Sequence, residues 1–230
     1  LIKCDLVEHT HKANVLIMAG GLGKRLMPLT KDTPKPLLPV RGKPLLERII
    51  LNFQRQGFRS FNISICYRAN DFIQYFTSQS KQSVDINWLV ESEPLGTAGS
   101  LTLLKKEQRV GPLVVSNADL DMDIDYSELL RFHNNSQSDL TVAGKRYETQ
   151  IPYGVIHHDD GKVKEICEKP HFSHYVNAGL YVLSESILDR IGFAQKYMDM
   201  PEVIDGAISR GESVNMYPLH EYWSDVGQID

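Results

Sequence analysis

The chain has 230 residues, of which 42% are hydrophobic and 23% are charged, a balance typical of a globular α/β protein with a sizeable core. Its formal net charge of −4 argues against a nucleic-acid partner, and it contains no apolar run long enough to cross a membrane. We therefore expect any phosphate recognition to be confined to a local site.

Cysteine use and the first residues indicate the cellular setting. Cys4, Cys66 and Cys167 are widely spaced, which favours neither a disulfide framework nor a zinc site, and fits a reducing cytoplasm. Residues 1–13 contain charges and histidines where a signal peptide would be apolar. We interpret them as a linker or a remnant of a preceding domain, and residues 14–230 as one domain.

Strands and helices are predicted to alternate in the first half of the chain. An apolar run at residues 15–18 predicts a buried strand that stops at Gly20 and Gly21. Pro44 then opens an amphipathic helix, which ends near Gly57. A strand at 61–66, a short helix at 71–76 and a strand at 86–90 follow.

The second half begins with the same alternation. A buried strand at 112–116 ends at Asn117-Ala118-Asp119, and Asp125 with Glu128 predicts a capped helix through residue 132. From residue 140 we expect shorter strands, a hairpin turn at Asp160-Gly161, and helices at 181–190 and 201–209. The pattern predicts a Rossmann-like, doubly wound, mostly parallel sheet that becomes mixed and is flanked by helices.

The segment 19–39 (AGGLGKRLMPLTKDTPKPLLP) follows the first predicted strand, where α/β sheets bind ligands. Glycines allow backbone N–H groups to approach phosphates, and Lys24, Arg25 and Lys35 supply positive charge. A P-loop is excluded because Gly23-Lys24 is followed by Arg25, and the dinucleotide fingerprint is excluded because its third glycine is missing. A tight turn with solvated charges is the structural alternative.

The segment closely resembles the signature of the sugar-nucleotide pyrophosphorylases, a nucleotidyltransferase family: Gly-Gly-x-Gly-x-Arg-Leu-x-Pro-Leu-Thr, then Pro-Lys-Pro. The resemblance continues in order through residues 91–99 (ESEPLGTAG), 117–119, 153–154, 168–170, 177–181 (NAGLY) and 223–227 (WSDVG). One position departs from the family pattern, because Ala118 replaces the usual glycine before Asp119.

The resemblance implies an enzyme that joins a nucleoside monophosphate from an NTP to a sugar 1-phosphate and releases pyrophosphate. Arg25, Lys35 and Asp119 would be catalytic, and Asp119 with Asp225 would hold Mg²⁺. The nucleotide would be bound by Ala19, Gly20, Gly21, Gly23, Arg25, Glu91, Gly96, Thr97 and Asn117. The sugar phosphate would be bound by Gly154, Glu168, Lys169 and Asn177. Taken alone, each carboxylate would more often be a turn or cap residue than a metal ligand.

The base and the sugar are less determined. Glu91 matches the family's base contact, and an ionised carboxylate suits the hydrogen-bond donors of guanine, so GTP is the preferred donor. Glu93 is an alternative contact, and UTP, dTTP or CTP remain open. Glucosamine 1-phosphate or mannose 1-phosphate is the expected acceptor. A nucleotide-binding regulatory subunit without catalysis is the alternative from a different class of protein.

Some similar proteins contain a pair of CBS domains before such a domain and act as guanylyltransferases in nonulosonic acid pathways. The resemblance therefore leaves open tethered regulatory CBS domains and a homo-oligomer. Two apparent metal motifs are rejected. The acidic run from Asp119 would need glycine at Ile124 and glutamate at Leu130 to be an EF-hand, and residues 157–160 predict a solvated hairpin.

Overall fold

The computed structural model describes residues 13–21, 23, 26–78 and 84–227. The interpretation of the N-terminal stretch as a linker falls almost wholly on residues outside these ranges. In the first half, the elements are β1 (Asn14–Met18), β2 (Pro39–Val40), β3 (Lys43–Pro44), α1 (Leu45–Arg55), β4 (Ser60–Ile65), α2 (Ala69–Ser78) and β5 (Asp85–Val90).

The second half contains longer strands. Its elements are β6 (Leu113–Asn117), β7 (Leu120–Met122), α3 (Tyr126–Asn135), β8 (Leu140–Gln150), β9 (Val155–Asp159), β10 (Lys162–Cys167), β11 (His171–Leu183), α4 (Glu185–Ile191), α5 (Met200–Ser209), β12 (Val214–Leu219) and β13 (Trp223–Asp225). None of the helices in the described ranges has the length and hydrophobicity needed to cross a bilayer.

Seven of the described strands form the central sheet, in the order β12-β8-β11-β6-β1-β4-β5. The pairs β6–β1, β1–β4 and β4–β5 are parallel, whereas β11 is antiparallel to both β6 and β8. The predicted Rossmann-like, mostly parallel and mixed sheet is therefore confirmed. Since β1 and β6 are parallel neighbours, the residues that follow them meet at the same edge of the sheet.

The core lies on both faces of this sheet because alternate residues of a strand point to opposite sides. Val15 and Ile17 pack with α1, α2 and α3, whereas Leu16 packs with α4 and α5. On α1 the buried side chains recur at the helical period predicted from the sequence: Leu45, Leu46, Ile49, Ile50 and Phe53. The sheet is thus fixed from both sides, and the loops at its edge are held on a rigid base.

Two sequence predictions in the second half were wrong in part, although α4 confirms the helix predicted at 181–190 from residue 185 onward. Residues 181–183 belong to β11 rather than to a helix, and they pair with β6 on one side and β8 on the other. A strand buried on both faces lacks the alternation that would distinguish it from a helix. The strands after residue 140 are also not all short, because β8 has 11 residues and β11 has 13.

Below about pH 6.5 the protein is expected to lose stability through His133. This side chain is 4% exposed, its Nδ1 atom lies 2.9 Å from the Thr141 hydroxyl, and burial lowers its pKa while Asp139 opposes that shift. The unfolded chain then binds the proton at a higher pH than the folded chain, so the free energy of unfolding falls as the pH decreases from about 6.5 towards the folded-state pKa.

Urea unfolding at about pH 7.5 and about pH 5.5 measures this effect. His133→Gln should reduce the change in the free energy of unfolding between these two pH values. His158→Gln, at an exposed position of β9, should show the same change as the unsubstituted protein. An unchanged pH dependence in His133→Gln would show that another group is responsible.

Candidate active site

A cleft of about 600 Å³ opens where β1 and β6 end, a size suited to a nucleotide. Its wall contains every described residue of the predicted nucleotide set, together with Lys35 and both predicted metal carboxylates: Ala19, Gly20, Gly21, Gly23, Lys35, Glu91, Gly96, Thr97, Asn117, Asp119 and Asp225. Arg25 lies outside the described residues, so its catalytic role stays a prediction. The structure brings the remaining predicted residues together in one cleft. Their roles in binding and catalysis stay predictions.

The two carboxylates meet on one lysine. Lys35 lies in a short 3-10 turn, and its Nζ atom is 2.7 Å from Asp119 Oδ2 and 3.5 Å from Asp225 Oδ1. Asp119 follows β6, whereas Asp225 ends β13, which pairs antiparallel with β7. The Val226 N–H also donates to the Asp119 carbonyl at 2.9 Å. A small strand pair thus joins two carboxylates that are far apart in the sequence.

This pair of carboxylates fits Mg²⁺. Magnesium prefers one or two protein carboxylates and completes its shell with water and substrate phosphates. The two carboxylates already converge on one cation, the Lys35 ammonium group. Among the described residues, no group of three or more His, Cys, Asp or Glu side chains is arranged to hold a metal. Two carboxylates are a donor set that suits a metal whose remaining ligands are water and substrate phosphates.

Glu91 lies in the wall of the cleft with 6% of its surface exposed. Its Oε2 atom accepts a hydrogen bond from the Leu95 N–H at 3.0 Å, and Oε1 accepts one from the Ser64 hydroxyl. A Cβ atom at Gly20 would lie 2.9 Å from Oε1, so only glycine leaves room for this carboxylate. Glu93, the alternative base contact, is exposed and is not among the described residues of the wall.

Sequence reasoning missed two further residues that line the cleft, Tyr197 and Asp199. Asp199 Oδ1 accepts hydrogen bonds from the Thr97 N–H at 2.8 Å and the Thr97 hydroxyl at 3.0 Å, and Oδ2 accepts one from Tyr197 at 2.9 Å. The Thr97 N–H is the main cause that holds the Asp199 pKa below its usual value, against a smaller opposing effect of burial. The pair Asp199 and Glu202 is a capping box at the start of α5, a signal that the sequence contains.

Gly96 allows the loop that contains Thr97 to approach the segment at Met198 and Asp199 closely. Its φ angle is +79°, and a Cβ atom there would lie only 2.6 Å from the Met198 carbonyl oxygen. The Met200 N–H also donates to the Thr97 hydroxyl at 2.9 Å. The loop around Gly96 is therefore fixed on the N-terminal end of α5.

The predicted sugar-phosphate residues do not line this cleft. Gly154 and Glu168 are neighbours, because a Cβ atom at Gly154 would lie 2.8 Å from Glu168 Oε2. Lys169 follows Glu168 and is exposed, and Asn177 lies on β11, where its Oδ1 atom accepts a hydrogen bond from the Gly179 N–H at 3.0 Å. Their roles towards a sugar stay predictions.

Ala118, the departure from the family pattern, lies between the cleft and the core. It lines the cleft and is almost fully buried within the hydrophobic cluster on the α1 side of the sheet. The predicted hairpin is confirmed, with residues 157–159 at the end of β9 and the turn at Asp160-Gly161 before β10. In this hairpin Asp159 pairs with Lys164 at 2.7 Å, and both side chains are exposed, as expected of a solvated surface hairpin.

The chain is similar to known enzymes in sequence and to solved structures in fold. A mannose-1-phosphate guanyltransferase of Yarrowia lipolytica is 34% identical over 222 residues, which cover 93% of this chain and 60% of the relative. A mannose-1-phosphate guanylyltransferase catalytic subunit beta of Drosophila melanogaster is 33% identical, with 93% of this chain and 59% of the relative covered. The chain thus spans about three fifths of the length of these relatives.

The crystal structure of HddC from Yersinia pseudotuberculosis complexed with GMP-PN superposes with a TM-score of 0.73 and 26% identity, over 94% of each chain. Residues 14–230 match the model of the nucleotidyl transferase family. This match covers both the glycine-rich loop and the two carboxylates that meet at Lys35. The chain belongs to the nucleotidyl transferase family.

Proposed function

We propose that this protein transfers the GMP group of GTP to a sugar 1-phosphate, with release of pyrophosphate and with Mg²⁺ as the metal. The observation that supports this most strongly is the meeting of Asp119, Asp225 and Lys35 in a nucleotide-sized cleft behind the glycine-rich loop. A second line of support is that curated relatives are named mannose-1-phosphate guanylyltransferases. The expected setting is the cytoplasm.

In the proposed reaction, an oxygen of the sugar phosphate attacks the α-phosphorus of GTP. A new P–O bond forms as the bond between the α-phosphorus and the bridging oxygen breaks, and this oxygen leaves with the pyrophosphate. The attacking oxygen is already anionic, so the protein supplies neither a covalent nucleophile nor a base, and positioning and charge provide the catalysis.

The described residues fit these tasks. Lys35 would donate to phosphate oxygens, and the glycine loop would place backbone N–H groups along the triphosphate. Mg²⁺ held by Asp119 and Asp225 would supply positive charge to the phosphate oxygens. We infer that the ammonium group of Lys35 moves from the carboxylates towards the phosphates when the nucleotide and metal bind, because one pocket between two carboxylates does not hold two cations.

Guanine specificity rests on Glu91 in this proposal. A carboxylate accepts hydrogen bonds from the N1–H and the amino group of guanine, which uracil cannot reproduce. Each oxygen of Glu91 accepts one internal hydrogen bond, from Ser64 or Leu95, and has a further lone pair for a ligand. The complex of HddC with GMP-PN supports a guanine nucleotide in a fold of this kind.

The direct test measures pyrophosphate release from GTP, UTP, dTTP, CTP and ATP in combination with a panel of sugar 1-phosphates. We expect the highest kcat/KM with GTP and either mannose 1-phosphate or glucosamine 1-phosphate. Turnover only with another NTP would overturn the choice of base. Tight GTP binding without turnover of any sugar phosphate would overturn the catalytic proposal and favour a regulatory subunit.

Glu91→Gln should lower kcat/KM for GTP by about 10-fold to 100-fold while changing kcat/KM for UTP much less, because hydrogen bonds to a charged group contribute about 1.5–3 kcal/mol. The matched control is Glu93→Gln, two residues away and exposed. The same panel of NTPs measures both variants. Equal losses with GTP and UTP would indicate that Glu91 supports the loop rather than reading the base.

Asp199→Ala should weaken GTP binding by about 10-fold, because the loop around Thr97 loses the two hydrogen bonds that hold it. A tenfold change in affinity corresponds to about 1.4 kcal/mol of binding free energy. Calorimetric titration of GTP measures the affinity. Asp205→Ala, on an exposed position of the same helix, is the control. Unchanged affinity in Asp199→Ala would show that the loop holds its shape without this anchor.

A further inference from the structure

Arg109 places a positive charge in the interior of the protein, where only 2% of its surface is exposed. Its guanidinium group donates four hydrogen bonds to backbone carbonyl oxygens: Nε to Leu104 at 3.1 Å, Nη1 to Leu188 at 2.8 Å, and Nη2 to Leu101 at 2.9 Å and to Gly192 at 2.7 Å. A buried charge destabilises a protein unless hydrogen bonds satisfy it. The carbonyl groups therefore fix the orientation of this side chain.

The four carbonyl groups belong to two separate segments of the chain. Two lie in or directly after the 3-10 helix Gly99–Leu103, and two lie in or directly after α4. The last carbonyl groups of a helix have no partner within it, so a basic side chain can satisfy them. Because the planar guanidinium group presents its donors in fixed directions, Arg109 holds the two segments in one relative position.

The ring of Phe193 lies over the guanidinium group. Its centroid is 3.8 Å from Arg109 Cζ, and the ring itself is 56% exposed. A cation above an aromatic face is attracted to it, so this contact strengthens the hold on the guanidinium group. Burial lowers the pKa of Arg109, and the charge of Asp189 opposes this shift. Since an arginine stays protonated in proteins, all its donors remain in place.

Both segments lead directly to residues that line the active-site cleft. The 3-10 helix follows residues 95–97, and α4 precedes Tyr197 and Asp199, all of which line the cleft. Arg109 is not among the described residues of the wall. It can therefore influence a bound nucleotide only through the residues that it positions.

The two segments are also paired beside the cleft. The Met198 N–H donates to the Leu95 carbonyl at 2.9 Å, and the Met198 carbonyl accepts hydrogen bonds from the Ala98 N–H at 2.9 Å and the Gly99 N–H at 3.1 Å. These backbone contacts hold one end of the paired segments, and Arg109 holds the other. The loop at residues 95–97 is thus fixed from both ends.

We propose that Arg109 is a positioning residue for nucleotide binding, which holds residues 95–97 and 197–199 in the arrangement that the NTP contacts. This inference rests on the proposed function of the cleft. A loop that is already ordered loses less conformational entropy when a ligand binds, so the affinity for the nucleotide rises. The chemical step depends on other groups, Lys35 and the metal carboxylates, so kcat depends little on Arg109. An arginine that only stabilised the fold would instead affect the amount of active enzyme, which changes kcat and not KM.

Arg109→Lys keeps the positive charge but replaces a planar fork of five donors by an ammonium group with three. We expect the KM for GTP to rise by about 10-fold, while kcat and the KM for the sugar 1-phosphate change by less than about 2-fold. Initial rates measure these constants, and calorimetric titration measures the affinity for GTP without turnover. Arg190→Lys, at an exposed position of α4, is the matched control and should change none of them.

Phe193→Leu tests the same contact should Arg109→Lys fail to fold, which circular dichroism reveals. Leucine keeps an apolar cover over the guanidinium group but lacks the aromatic face, so the affinity for GTP should fall by about 3-fold. The ring is more than half exposed, so this variant should remain folded. Unchanged GTP affinity in the folded variants, or a fall in kcat at constant KM, would overturn the inference.

Hydrogen exchange separates a failure of this inference from a failure of the proposed function. In the free protein the amides of Ala98, Gly99 and Met198 should exchange faster in Arg109→Lys than in Arg190→Lys, because the paired segments open more often. Unchanged exchange would overturn the inference whatever the turnover. Faster exchange and weaker GTP binding without turnover of any sugar phosphate would support the inference and overturn only the transferase activity.

Discussion

Replacing Asp119 or Asp225 by Asn is expected to lower kcat by about 10³-fold or more, equivalent to roughly 4 kcal/mol of transition-state stabilisation. The carboxamide keeps the shape of the side chain but removes the negative charge that Mg²⁺ requires. Both carboxylates face the same Lys35 Nζ atom, so both would serve one metal ion. The double variant should consequently be little worse than either single variant, because residues that act as a unit are not additive.

Both variants should remain folded. The side chains of Asp119 and Asp225 are 33% and 24% exposed, and the β7–β13 pairing depends on backbone groups that the substitution does not touch. Initial rates across a range of Mg²⁺ concentrations measure the loss, with Asp205→Asn on α5 as the control. A variant that keeps both its rate and its Mg²⁺ dependence would remove that residue from the metal site.

The sequence predicted the part of the site that depends on strand ends. The apolar runs before Gly20 and Asn117 identified two buried strands, and in the structure β1 and β6 are parallel neighbours. Two loops at the ends of such strands must meet, so the convergence of the glycine loop with Asp119 follows from topology. Sequence order alone could not place Asp225, whose position depends on a strand of three residues.

The contact between Thr97 and Asp199 could not be predicted, for a different reason. Thr97 and Asp199 are about a hundred residues apart, and a contact of this kind leaves no periodic signal in either segment. The sequence indicates a capping box at Asp199, where α5 begins. It does not indicate which loop Asp199 contacts. The same limit applies to the ion pair between Arg48 and Asp121, because Arg48 on α1 meets Asp121 only through the packing of β7 against the helix.

Lys35→Met is expected to change metal binding and turnover in opposite directions. The Lys35 ammonium group lies between Asp119 and Asp225, and its side chain is 12% exposed, so a metal ion held by these two carboxylates would have to displace it. Without the lysine, two like charges remain close together, and the affinity for Mn²⁺ or Mg²⁺ should rise by about 10-fold. Turnover should fall by about 10²-fold, because the phosphates lose a cation in the transition state.

Mn²⁺ titration followed by electron paramagnetic resonance measures the first change, and pyrophosphate release measures the second. Lys31→Met, an exposed lysine in the same segment, should alter neither, and Lys35→Arg should keep metal affinity low because it preserves the competing charge. A misfolded variant would lose both metal affinity and turnover, so opposite shifts can arise only from Lys35 itself. Unchanged metal affinity would place the lysine away from the carboxylates when the metal binds.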